Sequence, residues 1–67
     1  MKKHKLKNYT WHEGRLFTEE WIIDSFEEAK SLAYNRGPHA FKIYDIESDE
    51  LVYTETLVSG NSIPEYA

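Results

Sequence analysis

At 67 residues the chain is a single domain near the lower limit for a core that folds unaided. It has no Cys, which excludes disulfide staples and thiolate metal sites, and no apolar run approaches the ~20 residues needed to span a bilayer. Charge is uneven: Lys2, Lys3, Lys5 and Lys7 are half of the eight basic residues, while from Asn8 onward four basic residues meet twelve acidic ones, a balance of −8 that repels phosphate backbones.

Residues 1–7 read as a Lys-rich arm, either solvated at the chain end or touching an anionic surface. No apolar segment follows the basic start, so it does not read as a secretory signal, and a cytoplasmic protein is expected. Leu6 to His12 alternates and is rich in Tyr, Thr and Trp, which predicts a strand with Lys7, Tyr9 and Trp11 on one face and Leu6, Asn8 and Thr10 on the other. Gly14 marks a turn. Leu16 to Ile23 is a second strand, with Phe17, Glu19, Trp21 and Ile23 against Thr18, Glu20 and Ile22. A three-residue loop at 13–15 gathers Tyr9, Trp11, Phe17 and Trp21 on one side, whereas a two-residue loop splits them; the clustered register is the expected one.

Ser25-Phe26-Glu27-Glu28 is a capping box opening a helix whose stripe is Phe26, Ala29, Leu32 and Ala33. Gly37 and Pro38 stop it. Ala40 to Ile46 and Leu51 to Val58 predict a hairpin around Glu47-Ser48-Asp49-Glu50. A four-residue loop sets Tyr44 opposite Tyr53 and Lys42 opposite Glu55, leaving Phe41, Ile43 and Val52 to meet the helix. From Ser59 the chain turns small and polar, a tail that Ile63 and Tyr66 could tie down. The expected fold is therefore α+β: ββαββ, a four-stranded, mainly antiparallel sheet with one helix on one face, the domain occupying 8–58 and the tail 59–67. Strand order is not readable.

Chemistry-bearing patterns are sparse. His4, His12 and His39 have no partner at ligand spacing, and His12 and His39 read as solvated strand-end or loop residues. Asp45 to Glu50 resembles an alternating oxygen-ligand loop but lacks the central Gly and terminal Glu of a calcium site, and reads as an acidic turn. The glycines at 14, 37 and 60 are too scattered for a phosphate loop, and no Ser sits in a nucleophile motif. No enzyme, no metal and no cofactor are expected. The positive feature is the sheet face away from the helix, with Tyr44, Tyr53, Ile46, Leu51 and Leu57 as the candidate protein-binding surface. Its occupant would be the tail, a second copy of the chain or another protein. Nucleic acid is not expected as a partner and base stacking is not expected there, because the neighbours Lys42, Glu55, Asp45 and Glu50 bring no basic excess. The alternative is an acidic inhibitor or nucleic-acid mimic presenting Glu19, Glu20, Glu27 and Glu28 to a nucleic-acid-handling protein.

The run Ser25-Phe26-Glu27-Glu28-Ala29-Lys30, then Phe41-Lys42-Ile43-Tyr44-Asp45 and Glu50-Leu51-Val52-Tyr53, resembles short uncharacterised open reading frames of bacteria and their phages, those of cyanobacterial phages included. The likeness covers residues 17–57 and brings no catalytic or binding residues. It implies a small accessory protein, phage-encoded and so acting in the host-cell cytoplasm, of unassigned role.

Overall fold

The computed structural model describes residues 3–58. In chain order it holds β1 (His4–His12), β2 (Arg15–Ile23), α1 (Phe26–Arg36), β3 (Ala40–Asp45) and β4 (Leu51–Thr56). All pairings are antiparallel, in the order β2-β1-β3-β4, so β1 and β3 are the inner strands. This is the expected α+β, ββαββ arrangement. The tail 59–67, with Ile63 and Tyr66, lies outside the described residues.

The helix forms for local reasons. The Ser25 side-chain oxygen accepts the Glu28 amide at 3.1 Å, satisfying one of the donors a helix start leaves open. At the other end Gly37 adopts φ 66°, a left-handed conformation that suits glycine, and its amide donates to the Ala33 carbonyl at 3.0 Å. Ala29 and Ala33 are small enough to bring α1 down onto the sheet, and both are fully buried. They close a core with Leu6, Phe41 and Ile43, flanked by Trp21, Ile23, Phe26, Leu32, Tyr53 and Leu57.

Both hairpin registers differ from expectation. The β1–β2 loop has two residues, Glu13 and Gly14, both at positive φ (52° and 76°), with His12 opposite Arg15. That mirror-image turn matches the right-handed strand twist, and it outweighs the aromatic clustering that a three-residue loop would give. Trp21 and Phe17 therefore share the helix side with Leu6, whereas Tyr9 and Trp11 lie on the opposite side. In the second hairpin the register shifts between Ile43 and Tyr44, so Ile43 faces Tyr53 and Tyr44 faces Leu51. Val52 is the extra residue, and one extra residue reverses the face of everything after it. Tyr53 and Glu55 thereby move to the helix side. The turn closes through Asp49 at φ 59°, whose amide donates to the Asp45 carbonyl at 2.8 Å.

Strand β1 begins at His4, two residues before the expected start at Leu6, so His4 and Lys5, expected in the arm, belong to an inner strand in which Leu6 is fully buried. Asn8 is an oddity of that strand. It is 2% exposed on the helix side, and its side-chain N and O have no hydrogen-bond partner among the described residues. A buried amide without partners costs about 1–3 kcal/mol, and leucine has nearly its shape. Asn8→Leu should raise the thermal midpoint by roughly 5 °C or more. A lower midpoint in a melting curve would show that the amide is bonded in solution.

Candidate binding surface

Side chains alternate along a strand. Since Leu6, Phe41 and Ile43 point into the core under α1, Lys5, Lys7 and Tyr9 of β1 and Lys42 and Tyr44 of β3 point to the other side. Direct pairs there are Lys5 with Tyr44, Lys7 with Lys42 and Tyr9 with Ala40. The Lys7 and Lys42 ammonium groups lie 5.5 and 5.3 Å from the centre of the Tyr9 ring, and Lys5 lies 4.9 Å from that of Tyr44. Such cation–ring contacts add about 0.5–1 kcal/mol each at exposed sites. They also seal Tyr9, which is fully buried although no helix covers it. Burial, foremost, drives the Tyr9 hydroxyl far above the ordinary phenol range, helped by a hydrogen bond with Tyr44 and by the charge of Glu20. Two carboxylates reach this face: Glu20 is 3.8 Å from Lys7, and Asp49 is 3.8 Å from Lys5.

Glu19 and Glu55 lie on the helix side of the sheet. Glu19 is held by the Arg36 guanidinium at 3.0 and 3.2 Å. Glu55 accepts from the hydroxyls of Tyr34 at 2.6 Å and Tyr53 at 2.7 Å. The Tyr34 bond, then the Tyr53 bond, hold the Glu55 carboxyl below its usual range, with the Lys30 charge adding and desolvation opposing. A carboxyl lowered in the folded state contributes stability that is present above its unfolded value and lost as pH falls through the folded one. Glu55→Gln should therefore separate from the wild type in urea midpoint near pH 7, and the gap should narrow towards about pH 3. A gap independent of pH contradicts the pairing.

The residues expected to bind are not one surface. Tyr44 and Leu51 stand opposite each other, away from the helix, and Ile46 lies in the β3–β4 turn with its amide donating to the Lys3 carbonyl. Tyr53 and Leu57 pack against the core instead. Tyr53 stacks edge-on to Phe26 at 5.7 Å and lies 5.9 Å from Phe41, a consequence of the one-residue shift at Val52. The alternative acidic face is also divided. Glu19 and Glu20 point to opposite sides of β2 and are paired with Arg36 and Lys7, while Glu27 and Glu28 sit on the first turn of α1. His39 is not simply solvated either: its Nδ1 accepts the Trp11 amide at 2.9 Å, bonding the end of β1 to the start of β3.

Lys5, Lys7 and Tyr9 were absent from the expected surface. Their signal was present in the sequence, because odd-numbered residues of Lys3-His4-Lys5-Leu6-Lys7-Asn8-Tyr9 share one face of any strand. Reading the first residues as an arm conceals Lys5, while the alternation places Lys7 and Tyr9 on one strand face without assigning that face to the side away from the helix. Among the described residues there is no cavity and no group of three or more side chains able to hold a metal ion. No helix is long and apolar enough to cross a membrane.

Fold and surface together define a small α+β domain with a lysine- and tyrosine-bearing sheet face opposite its one helix. The chain matches no protein-family model, no curated protein and no solved structure.

Proposed function

We propose that this is a small, non-enzymatic accessory protein of the cytoplasm that acts by binding through the helix-free face of its sheet. One observation carries the reading: α1 packs on one side only, while the other gathers Lys5, Lys7, Lys42 and Tyr44, with Leu51 and Ile22 half-exposed beside them. Exposed apolar and aromatic side chains grouped on an uncovered sheet face mark an interaction site. Hydroxyl-radical footprinting in native cell extract, with buffer as reference, tests it. Protection of Tyr44, Leu51 and Ile22 is expected. Protection confined to Tyr34 and the outer side of α1, or none at all, overturns it.

Self-association has its own support at the sheet edge. β2 is an unbulged edge strand of nine residues, with Phe17 51% and Ile22 55% exposed. Long, flat, apolar edges invite pairing with a second copy. The two-residue turn directs the amides of Arg15, Phe17, Glu19 and Trp21 towards β1, so the Thr18 amide points outward. Thr18→Pro should leave the fold intact and abolish a dimer seen by light scattering. A wild type that stays monomeric at millimolar concentration removes this reading.

A further inference from the structure

We propose that the helix-free face binds single-stranded nucleic acid, with Lys5, Lys7 and Lys42 taking phosphates and Tyr44 meeting a base. This rests on the reading of that face as the binding surface, and it names the partner. The expected hairpin had argued against such a partner by placing Glu55 beside Lys42. The observed register puts Thr54 there and sends Glu55 to the helix side, where two tyrosine hydroxyls occupy it. Lysines of β1 take the vacated role.

The central pair is the decisive feature. Lys7 and Lys42 are directly opposite each other on the two inner strands. Like charges directly opposite destabilise a sheet. Glu20 lies by Lys7, but Lys42 has no carboxylate partner among the described residues. A local rule broken at the centre of a fold, offset only by the Tyr9 ring beneath both ammonium groups and by Glu20 at Lys7, is expected where a ligand completes the arrangement. An anion over Lys7 and Lys42 relieves that repulsion. Strand geometry holds Lys5 and Lys7 about 7 Å apart with Lys42 across the ladder, a patch sized for a few successive phosphates.

Phosphate fits better than carboxylate. Every cation named on this face is lysine, which meets phosphate as a point charge, and the aromatic ring beside them is a stacking platform that a nucleotide base uses and a carboxylate does not. Tyr44 is partly exposed with Lys5 at its ring, the interleaving of aromatic and cation that sheets use to hold unpaired bases. The acidic remainder of the chain keeps the footprint short and disfavours a duplex, whose second backbone would approach Glu20 and the acids beyond it.

Fluorescence anisotropy with the full chain and labelled oligothymidylate or oligouridylate of roughly 12 nucleotides tests this. Three phosphate contacts predict a slope of about −2 for log affinity against log salt, a loss of about fifteen-fold between 50 and 200 mM. Lys42→Gln should weaken binding several-fold and make the slope shallower by about 0.7. Tyr44→Leu should weaken binding at unchanged slope, and Lys30→Gln, on the helix side, should change neither. Circular dichroism confirms that each variant is folded. The proposal is overturned by no binding at low salt, by Lys42→Gln and Lys7→Gln binding as the wild type does, or by equal binding of an oligoglutamate peptide, which would make the partner an acidic protein segment. If oligonucleotides fail while the footprint persists in nuclease-treated extract, only this proposal falls. If the footprint is absent too, the reading of the face falls with it.

Discussion

Phe41→Ala should leave the chain without a stable folded state at room temperature. Phe41 is fully buried at the centre of β3, with Tyr34 edge-on at 5.6 Å, Tyr53 at 5.9 Å, and Leu6, Ala29, Ala33 and Ile43 around it. Removing a buried phenyl ring costs about 3–5 kcal/mol, because the cavity closes only in part. A domain of this length holds roughly 3–10 kcal/mol in total. The loss therefore consumes most or all of the margin, and no disulfide is present to cushion it. Tryptophan fluorescence through a thermal ramp reads the result. At roughly 4–8 °C per kcal/mol for a small domain, a midpoint lowered by less than about 10 °C contradicts the placement of Phe41 at the core's centre.

The next largest effect is a contrast between two tyrosines. Tyr53→Ser should cost about 3 kcal/mol, whereas Tyr44→Ser should cost about 1 kcal/mol or less. Tyr53 fills the space between Phe26 and Phe41, receives the Lys30 ammonium 4.8 Å from its ring and donates its hydroxyl to Glu55. Tyr44 lies on the helix-free side with Lys5 at its ring and Tyr9 at its hydroxyl. Under a plain four-residue hairpin loop the two would be cross-strand neighbours on one open face, and serine would be tolerated about equally at both. Urea midpoints separate the cases. Equal sensitivity of the two positions contradicts the bulged register.

The difference between these tyrosines marks where the sequence is readable. Ser25 and Gly37 act on groups three or four residues away, so the helix and its ends were legible. So was the alternation within each strand: Phe17 does share a side with Trp21, and Lys7 with Tyr9. What local chemistry does not contain is the phase of one strand against another. Glu13 is not a residue that favours positive φ, so nothing in Glu13-Gly14 announced a two-residue turn. Val52 has the composition of an ordinary strand residue, and the bulge it forms depends on how β4 meets β3 and the helix together. Strand order rests on contacts between distant segments. The candidate surface suffered most, because it depends on the β3–β4 register and on where β1 begins: one shift removed Tyr53, Leu57 and Glu55 from the open face, and the start of β1 at His4 added Lys5 to it.

Proton–proton Overhauser effects from the Tyr53 ring test the arrangement most directly, since the side that ring occupies decides whether Glu55 stands beside Lys42 on the open face. The bulged register predicts cross-peaks from Tyr53 to the rings of Phe26 and Phe41, with centroids 5.7 and 5.9 Å away. Cross-peaks to Lys42 and Tyr44 in their place would restore Glu55 to the open side as the carboxylate partner of Lys42 and contradict the account.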